Sequence, residues 1–229
     1  MQNFWSRFLV NAVLTLSVVA LPIPATSQSK VATNEASPAC KDEKGCIGQF
    51  PSVFSRKKYL LRLMLRDGKT KTFANNNSDG DAYRKYSLAA FYPQRNVAIL
   101  EVSHYEGGDV LVVSTSTGSI VTPLALPHFS PSGKEFGAVM NCPDYADNCG
   151  KDGVEIWSTA VDPPTRVYHR DREADRWYCF GRWESDDHLS LWVSQIEPST
   201  YSCADGLPKD AKHTILVRNG QDWQLIDQK

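Results

Sequence analysis

The stretch that decides the fold is AFYPQRNVA, residues 90–98, in which an aromatic strand, a proline turn and a second strand follow one another. The pattern returns in HFSPSGKEF, residues 128–136, which is 129 − 91 = 38 residues further on when the two phenylalanines are aligned. A looser copy, GRWESDDHL, occupies residues 181–189. A supersecondary unit that recurs about every 40 residues predicts an array of small antiparallel sheets.

A second kind of hairpin alternates with the first along the chain. Its four turns are marked by turn-forming residues at Asp67-Gly68, Thr117-Gly118, Asp162-Pro163-Pro164 and Asn219-Gly220. No window of 11 or more residues has a convincing helical period. The sequence therefore predicts an all-β, propeller-like array of about three and a half four-stranded antiparallel blades, with a two-sheet β-sandwich as the alternative.

Residues 88–227 resemble the propeller repeats of the WD40 and TolB-like type. FSPSGK, residues 129–134, is similar to the Phe-Ser-Pro-Asp-Gly-Lys turn of those repeats. Ile156-Trp157, followed by a turn, is similar to their third strand. The resemblance implies a β-propeller.

The first residues have the pattern of an export signal. Arg7 precedes a largely apolar run over 8–21, prolines follow, and Ala25-Thr26-Ser27 supplies small residues for cleavage near Ser27. We expect a signal peptide over 1–27, a flexible N-terminal segment over 28–50 and a single all-β domain over 51–229. The protein is then secreted or periplasmic, with no stable membrane span after cleavage.

Six cysteines follow the export signal, and an even number in an exported chain predicts disulfides. Closeness in sequence favours Cys40–Cys46, Cys142–Cys149 and Cys179–Cys203. The formal net charge of −1 argues against nucleic acid or an anionic membrane as the main partner.

The long connections predict where a ligand would bind. The distance from the first turn to the second within a unit grows from 117 − 93 = 24 residues to 162 − 131 = 31 and 219 − 185 = 34. In repeat folds such insertions gather on one face, which is often the binding face. The candidate residues of this face are polar or aromatic: His104, Tyr105, Glu106, His128, Asp144, Tyr145, His169, Arg170, Asp171 and Trp177.

These features favour an exported binding or scaffold module that engages a protein or a cell-envelope glycan through its loop-rich face. The alternative is a secreted hydrolase whose acid–base pair lies among His104, Glu106, Asp144, His169 and Asp171. The common hydrolase and phosphate-binding motifs are missing from the sequence. Asn75–Asp81 is similar to the start of a calcium loop, but its twelfth position is Tyr86 instead of a glutamate. No metal or cofactor is predicted.

Overall fold

Antiparallel β-sheets built from strands consecutive in sequence make up the fold. The computed structural model describes residues 35–142, 152–173, 175–197, 203 and 206–227, all of which belong to the unit Thr33–Lys229. These residues form four antiparallel sheets and one short α-helix. The all-β prediction is confirmed, and the arrangement of the sheets as propeller blades stays a prediction.

Each sheet is a meander in which every strand pairs with the next one. Sheet I follows helix α1 (Glu43–Gln49) and contains β1 (Phe54–Lys57), β2 (Leu60–Met64) and β3 (Thr70–Ala74). Sheet II contains β4 (Lys85–Tyr92), β5 (Val97–His104), β6 (Gly107–Ser114) and β7 (Ile120–Val121). Sheet III contains β8 (His128–Phe129), β9 (Glu135–Met140), β10 (Gly153–Ser158) and β11 (Thr165–Asp171). Sheet IV contains β12 (Trp177–Ser185), β13 (His188–Ser194), β14 (Lys212–Asn219) and β15 (Asp222–Asp227).

All seven predicted turns connect neighbouring antiparallel strands. In the first kind of hairpin, Pro93–Arg95 forms a single 3-10 turn that ends at Asn96 with a φ of 54°. In the next copy, the Gly133 N–H donates to the Ser130 carbonyl at 2.8 Å, and Gly133 has a φ of 67°. This left-handed conformation is the reason for a glycine at that position.

Two elements near the N-terminus were missed by the sequence analysis. Strand β1 is a third strand of sheet I, for which the sequence pattern predicted only two. The pattern missed β1 because the strand buries few apolar residues and because its turn uses Lys58, at a φ of 55°, in place of a glycine. Helix α1 lies inside the segment that was predicted to be flexible. It has seven residues, too few for a periodic signal, and begins where Asp42 accepts a hydrogen bond from the Gly45 N–H at 2.7 Å.

Three apolar clusters join consecutive sheets. Phe54 of β1 packs edge-on against Phe91 of β4, with ring centroids 4.9 Å apart, and so joins sheets I and II. Tyr92 of β4 and Phe129 of β8 join sheets II and III at 4.2 Å. Ile156 and the fully buried Trp183 belong to the cluster that joins sheets III and IV. Consecutive sheets are therefore held together mainly by the burial of large side chains between them.

Polar contacts also join the tight turns of the four sheets at one end, and we refer to them as the turn network. The Arg66 guanidinium of sheet I donates to Asn96 of sheet II at 2.7 Å. The Asp162 carboxylate of sheet III accepts hydrogen bonds from Ser114, Thr117 and Ser119 of sheet II. The Ser132 N–H of sheet III donates to Asp186 of sheet IV at 2.9 Å.

The remaining connections leave each four-stranded sheet at the opposite end, because consecutive hairpins of a meander alternate in direction. The connection between the second and third strands spans 105–106 in sheet II, 141–152 in sheet III and 195–211 in sheet IV. The predicted lengthening of these connections is confirmed.

Two of the predicted disulfides are present, Cys40–Cys46 and Cys179–Cys203. Cys142 is also disulfide-bonded, and its predicted partner, Cys149, lies outside the described residues. The disulfides are compatible with an exported protein. The predicted signal peptide over 1–27 also lies outside the described residues, and within them no helix has the length and apolar character needed to cross a bilayer.

Candidate ligand-binding cleft

The first strand of each four-stranded sheet is an edge strand. Its outer edge has no partner strand within the sheet, and groups from other parts of the chain hydrogen-bond to it. On β4, the Ala39 N–H donates to the Phe91 carbonyl at 2.8 Å. On β8, the indole of Trp183 donates to the His128 carbonyl at 2.7 Å. On β12, the buried amide of Asn141 both donates to the Tyr178 carbonyl and accepts from the Tyr178 N–H, at 2.6 and 2.8 Å. These contacts give hydrogen-bond partners to backbone groups of the edge strands that would otherwise be free to bind a ligand or another strand.

Two adjoining cavities lie beside these first strands, with volumes of about 590 and 640 Å³. Glu35, Leu126 and His128 line both, so we treat them as one site and name it the His128 cleft. One cavity continues along β4 past Ala90 and Tyr92. The other is lined largely by apolar side chains: Val110, Ala125, Val139, Met140 and Phe180. A mostly apolar concavity with a few polar groups is the usual form of a ligand site.

His128 is held in place on both sides. Its ring stacks on Phe180 of β12, with centroids 3.8 Å apart and planes 15° from parallel. Its Nδ1 lies 3.5 Å from the Glu35 carboxylate, and the two side chains are 42% and 26% exposed. The pair presents a carboxylate and an imidazole to the cleft, and these groups can bind a cationic or hydrogen-bonding group of a ligand.

Tyr92 lies at the wall of the same cleft. Burial raises the pKa of Tyr92 to about 12, and the negative charge of Glu35 adds to the effect. The phenol therefore keeps its proton at neutral pH.

The other predicted histidines find carboxylate partners close to them in sequence. His104 Nε2 lies 2.6 Å from Asp109 in the β5–β6 hairpin, and His169 Nε2 lies 2.8 Å from Asp171 two residues further along β11. The acid–base pair that the sequence analysis placed among these residues stays a prediction, and Asp144, which belongs to the same set, lies outside the described residues.

The remaining predicted residues are distributed over these hairpins and the β11–β12 connection. Tyr105 is 63% exposed beside Glu106 at the tip of the β5–β6 hairpin. Arg170 pairs with Glu173, which also binds Arg176 at 3.1 Å. Tyr145 lies outside the described residues. The arginines of this connection are therefore paired with acidic neighbours at the surface.

Trp177 is not an open platform for a ligand. The residue is only 6% exposed, and the Arg172 guanidinium lies over its ring at 4.3 Å from the centroid. Arg172 is in turn fixed by Asp152 at 2.6 Å. The sequence analysis listed Trp177 among the candidate residues of the binding face, but the connection that precedes β12 covers its indole.

A different carboxylate has the electrostatic environment of a buried acid. Glu135, the first residue of β9, is 4% exposed, and Arg218 donates to its Oε1 at 2.5 Å. Its Oε2 has no hydrogen-bond partner within the described part of the chain. Burial raises the pKa of Glu135 to about 7. Arg218 opposes this rise, and the nearby charges of Asp187 and Asp186 add to it.

The two residues that complete the His128 cleft were missed by the sequence analysis. Glu35 lies in the segment predicted to be flexible, and Phe180 precedes the third turn motif without any special spacing. The sequence contains no signal that joins these positions to His128. Phe180 reaches His128 through the packing of sheets III and IV, and Glu35 reaches it through the N-terminal segment, which pairs with β4.

Metal binding has little support in the described residues. They contain no group of three or more His, Cys, Asp or Glu side chains placed to hold a metal ion. In the segment similar to a calcium loop, the Asn75 side chain accepts a hydrogen bond from the Tyr86 N–H at 2.9 Å.

Comparisons with known proteins add no identity to this geometry. No family model matches the chain, and no curated protein is significantly similar to it.

Proposed function

We propose that this chain is an exported binding module that holds a segment of another protein in the His128 cleft. The observation that carries the proposal is the cleft itself, in which a partly exposed carboxylate and imidazole stand beside an apolar wall. Such a surface suits an extended peptide that places an apolar side chain against Val139 and Met140 and a basic side chain beside Glu35.

A protein ligand fits the cleft better than the cell-envelope glycan that the sequence also allowed. A sugar ring usually needs an aromatic face open to solvent, and the face of Phe180 is covered here by His128. Tyr92 is only 8% exposed and packs against Phe129. The apolar residues around the second cavity other than Phe180, among them Val110, Leu126 and Met140, are aliphatic and offer no flat platform.

The proposal includes the propeller-like arrangement and export that the sequence analysis predicted. Two features support blades of one orientation: the turn network at one end of the sheets and the apolar clusters between consecutive sheets. The disulfides, two of which are fully described, support an oxidising compartment. In such an arrangement the cleft lies beside the innermost strands, at the end from which the long connections leave.

The test is selection of a random peptide phage library on the full chain, followed by fluorescence polarisation with the selected peptides. We expect sequences with a basic residue close to an apolar one, and about tenfold weaker binding for Glu35→Gln and His128→Ala. The matched control is His169→Ala, which removes another histidine paired with a carboxylate and should change the affinity by less than about twofold.

Two results would contradict the proposal. One is selected peptides whose affinity is the same for wild type, Glu35→Gln and His128→Ala. The other is an absence of peptide binding together with co-sedimentation with purified envelope glycan that is lost in His128→Ala, since the ligand of the cleft would then be a glycan.

A further inference from the structure

Sheet IV contains a serine and a histidine in direct contact on neighbouring strands. Ser190 Oγ of β13 lies 2.6 Å from His213 Nε2 of β14. When the imidazole is neutral with its proton on Nδ1, the serine hydroxyl donates to Nε2. This is the arrangement in which a histidine can take the proton of a nucleophile.

This pair lines a further cleft, with a volume of about 500 Å³, which shares Gly181 with the His128 cleft. The lining residues are Gly181, Arg182, Glu184, Ser190, Trp192 and His213. Register places Arg182 directly opposite Ser190 and Trp192 directly opposite His213. Directly opposite side chains on one sheet face are neighbours, so a cation flanks the hydroxyl and an indole flanks the imidazole.

Gly181 keeps the space beside the hydroxyl clear. The pairing of β12 with β13 shifts between Phe180 and Arg182, which leaves Gly181 as the extra residue. A Cβ at position 181 would lie 2.9 Å from Ser190 Oγ and 2.6 Å from the Ser190 carbonyl oxygen. A residue with a side chain would therefore press on the hydroxyl from the cleft.

Trp192 differs from the tryptophans that fill the core. Trp183 and Trp223 belong to the apolar cluster between sheets III and IV. Trp192 is half-buried, lies 5.1 Å from the His213 ring between centroids, and lines the open cleft. Its indole offers an apolar surface next to the Ser–His pair.

We propose that Ser190 and His213 are a nucleophile and general base that hydrolyse carboxylic esters whose apolar part rests on Trp192. The Ser190 oxygen forms a bond to the acyl carbon while its proton passes to His213 Nε2. The bond from that carbon to the alcohol oxygen breaks, and His213 returns the proton to the departing alcohol. Water then repeats the sequence on the acyl-serine, which releases the acid and restores the hydroxyl.

Arg182 is the positioning and charge-stabilising residue in this scheme. Its side chain is 50% exposed, and its contact with Glu184 is a loose 4.0 Å. The guanidinium can therefore turn toward the carbonyl oxygen of the ester, which becomes negatively charged when Ser190 attacks the acyl carbon.

The test is labelling of the full chain with a fluorophosphonate, with the adduct located by peptide mass spectrometry, beside hydrolysis of p-nitrophenyl acetate. We expect the adduct on Ser190. We also expect loss of labelling and turnover in Ser190→Ala, and a fall of about a hundredfold in His213→Asn. The chain supplies a matched control in Ser185 and His188, another Ser–His pair at 3.0 Å, which flanks the turn between β12 and β13 and does not line this cleft. Ser185→Ala should keep full labelling.

Three outcomes would overturn the proposal: no adduct on Ser190 of the wild-type chain, labelling of Ser190 that does not depend on His213, or equal losses in Ser185→Ala. Mapping of the wild-type adduct does not depend on whether a variant folds, and thermal melts identify any variant that does not. Labelling of Ser190 and hydrolysis of the ester use no peptide ligand, so this proposal and the peptide-binding proposal can fail separately.

Discussion

Replacing Glu135 by glutamine should remove a large part of the pH dependence of stability. The folded protein holds the pKa of Glu135 at about 7 because the carboxyl is buried, whereas the ordinary pKa of an exposed glutamate is 4.5. A raised folded pKa means that the folded state prefers the neutral acid. Its contribution is therefore complete below pH 4.5 and is lost as the pH rises to about 7.

The size of the effect follows from the two values. They differ by about 2.5 pH units, and each unit corresponds to about 1.4 kcal/mol, so the free energy of unfolding should fall by roughly 3 kcal/mol from low to high pH through this group. Roughly 2 to 3 kcal/mol of that fall lies between pH 5 and pH 8. Glutamine does not titrate, so Glu135→Gln should lack it.

The assay is urea unfolding followed by tryptophan fluorescence at pH 5 and pH 8, for wild type and Glu135→Gln. Other titrating groups affect both proteins alike, so the quantity to compare is the change between the two pH values in each protein. Glu101→Gln, a change at an exposed glutamate of β5, serves as the control and should behave as wild type. An equal pH dependence in wild type and Glu135→Gln would refute the reasoning.

Three further changes test other parts of the structure by the same unfolding measurement. Asp162→Ala should lower the free energy of unfolding by about 2 kcal/mol, because it removes the carboxylate to which three hydroxyls of sheet II donate. A loss below about 0.5 kcal/mol would show that the turn network contributes little to stability. The double change Cys179→Ala and Cys203→Ala should cost about 3 kcal/mol, since the disulfide closes a loop with a sequence separation of 24. Reduced wild type should lose at least as much, because reduction also breaks Cys40–Cys46, and a loss below about 0.5 kcal/mol in the variant would contradict this. Gly133→Ala should cost about 1 to 2 kcal/mol because the backbone at this position is left-handed. The loss should exceed that of Gly68→Ala, because a Cβ at 133 contacts a neighbouring arginine whereas a Cβ at 68 has no neighbour within 4 Å. Equal losses would mean that the arginine side chain moves aside at no cost.

The hairpins could be predicted from sequence because their signals are local. Asp67-Gly68 and Asn219-Gly220 favour tight turns through their own backbone preferences, and each is flanked by strand residues. The pairing Cys179–Cys203 was also within reach, since it depends only on which end of sheet IV each cysteine occupies. Strand β1 escaped because its turn uses Lys58 in a conformation that lysine seldom adopts.

The candidate sites could not be predicted in the same way, because they depend on contacts between segments far apart in sequence. His128 was selected as a polar residue at the start of a strand, but Glu35 and Phe180 join it only through the tertiary packing of the N-terminal segment and of sheet IV. Ser190 and His213 face each other because a connection of 17 residues, 195–211, lets β14 return beside β13. Neither residue stands in a local motif that marks it.

The pairing of Ala39 and Cys40 with Phe91 has a practical consequence for handling the protein. A recombinant chain begun at residue 51, where the sequence analysis placed the start of the β domain, would lack this pairing, helix α1 and the Cys40–Cys46 bridge. The backbone groups at the edge of β4 would then be unpaired and could pair with a strand of another molecule. Such preparations should therefore self-associate as their concentration rises. Chains begun at or before Glu35 keep that edge occupied.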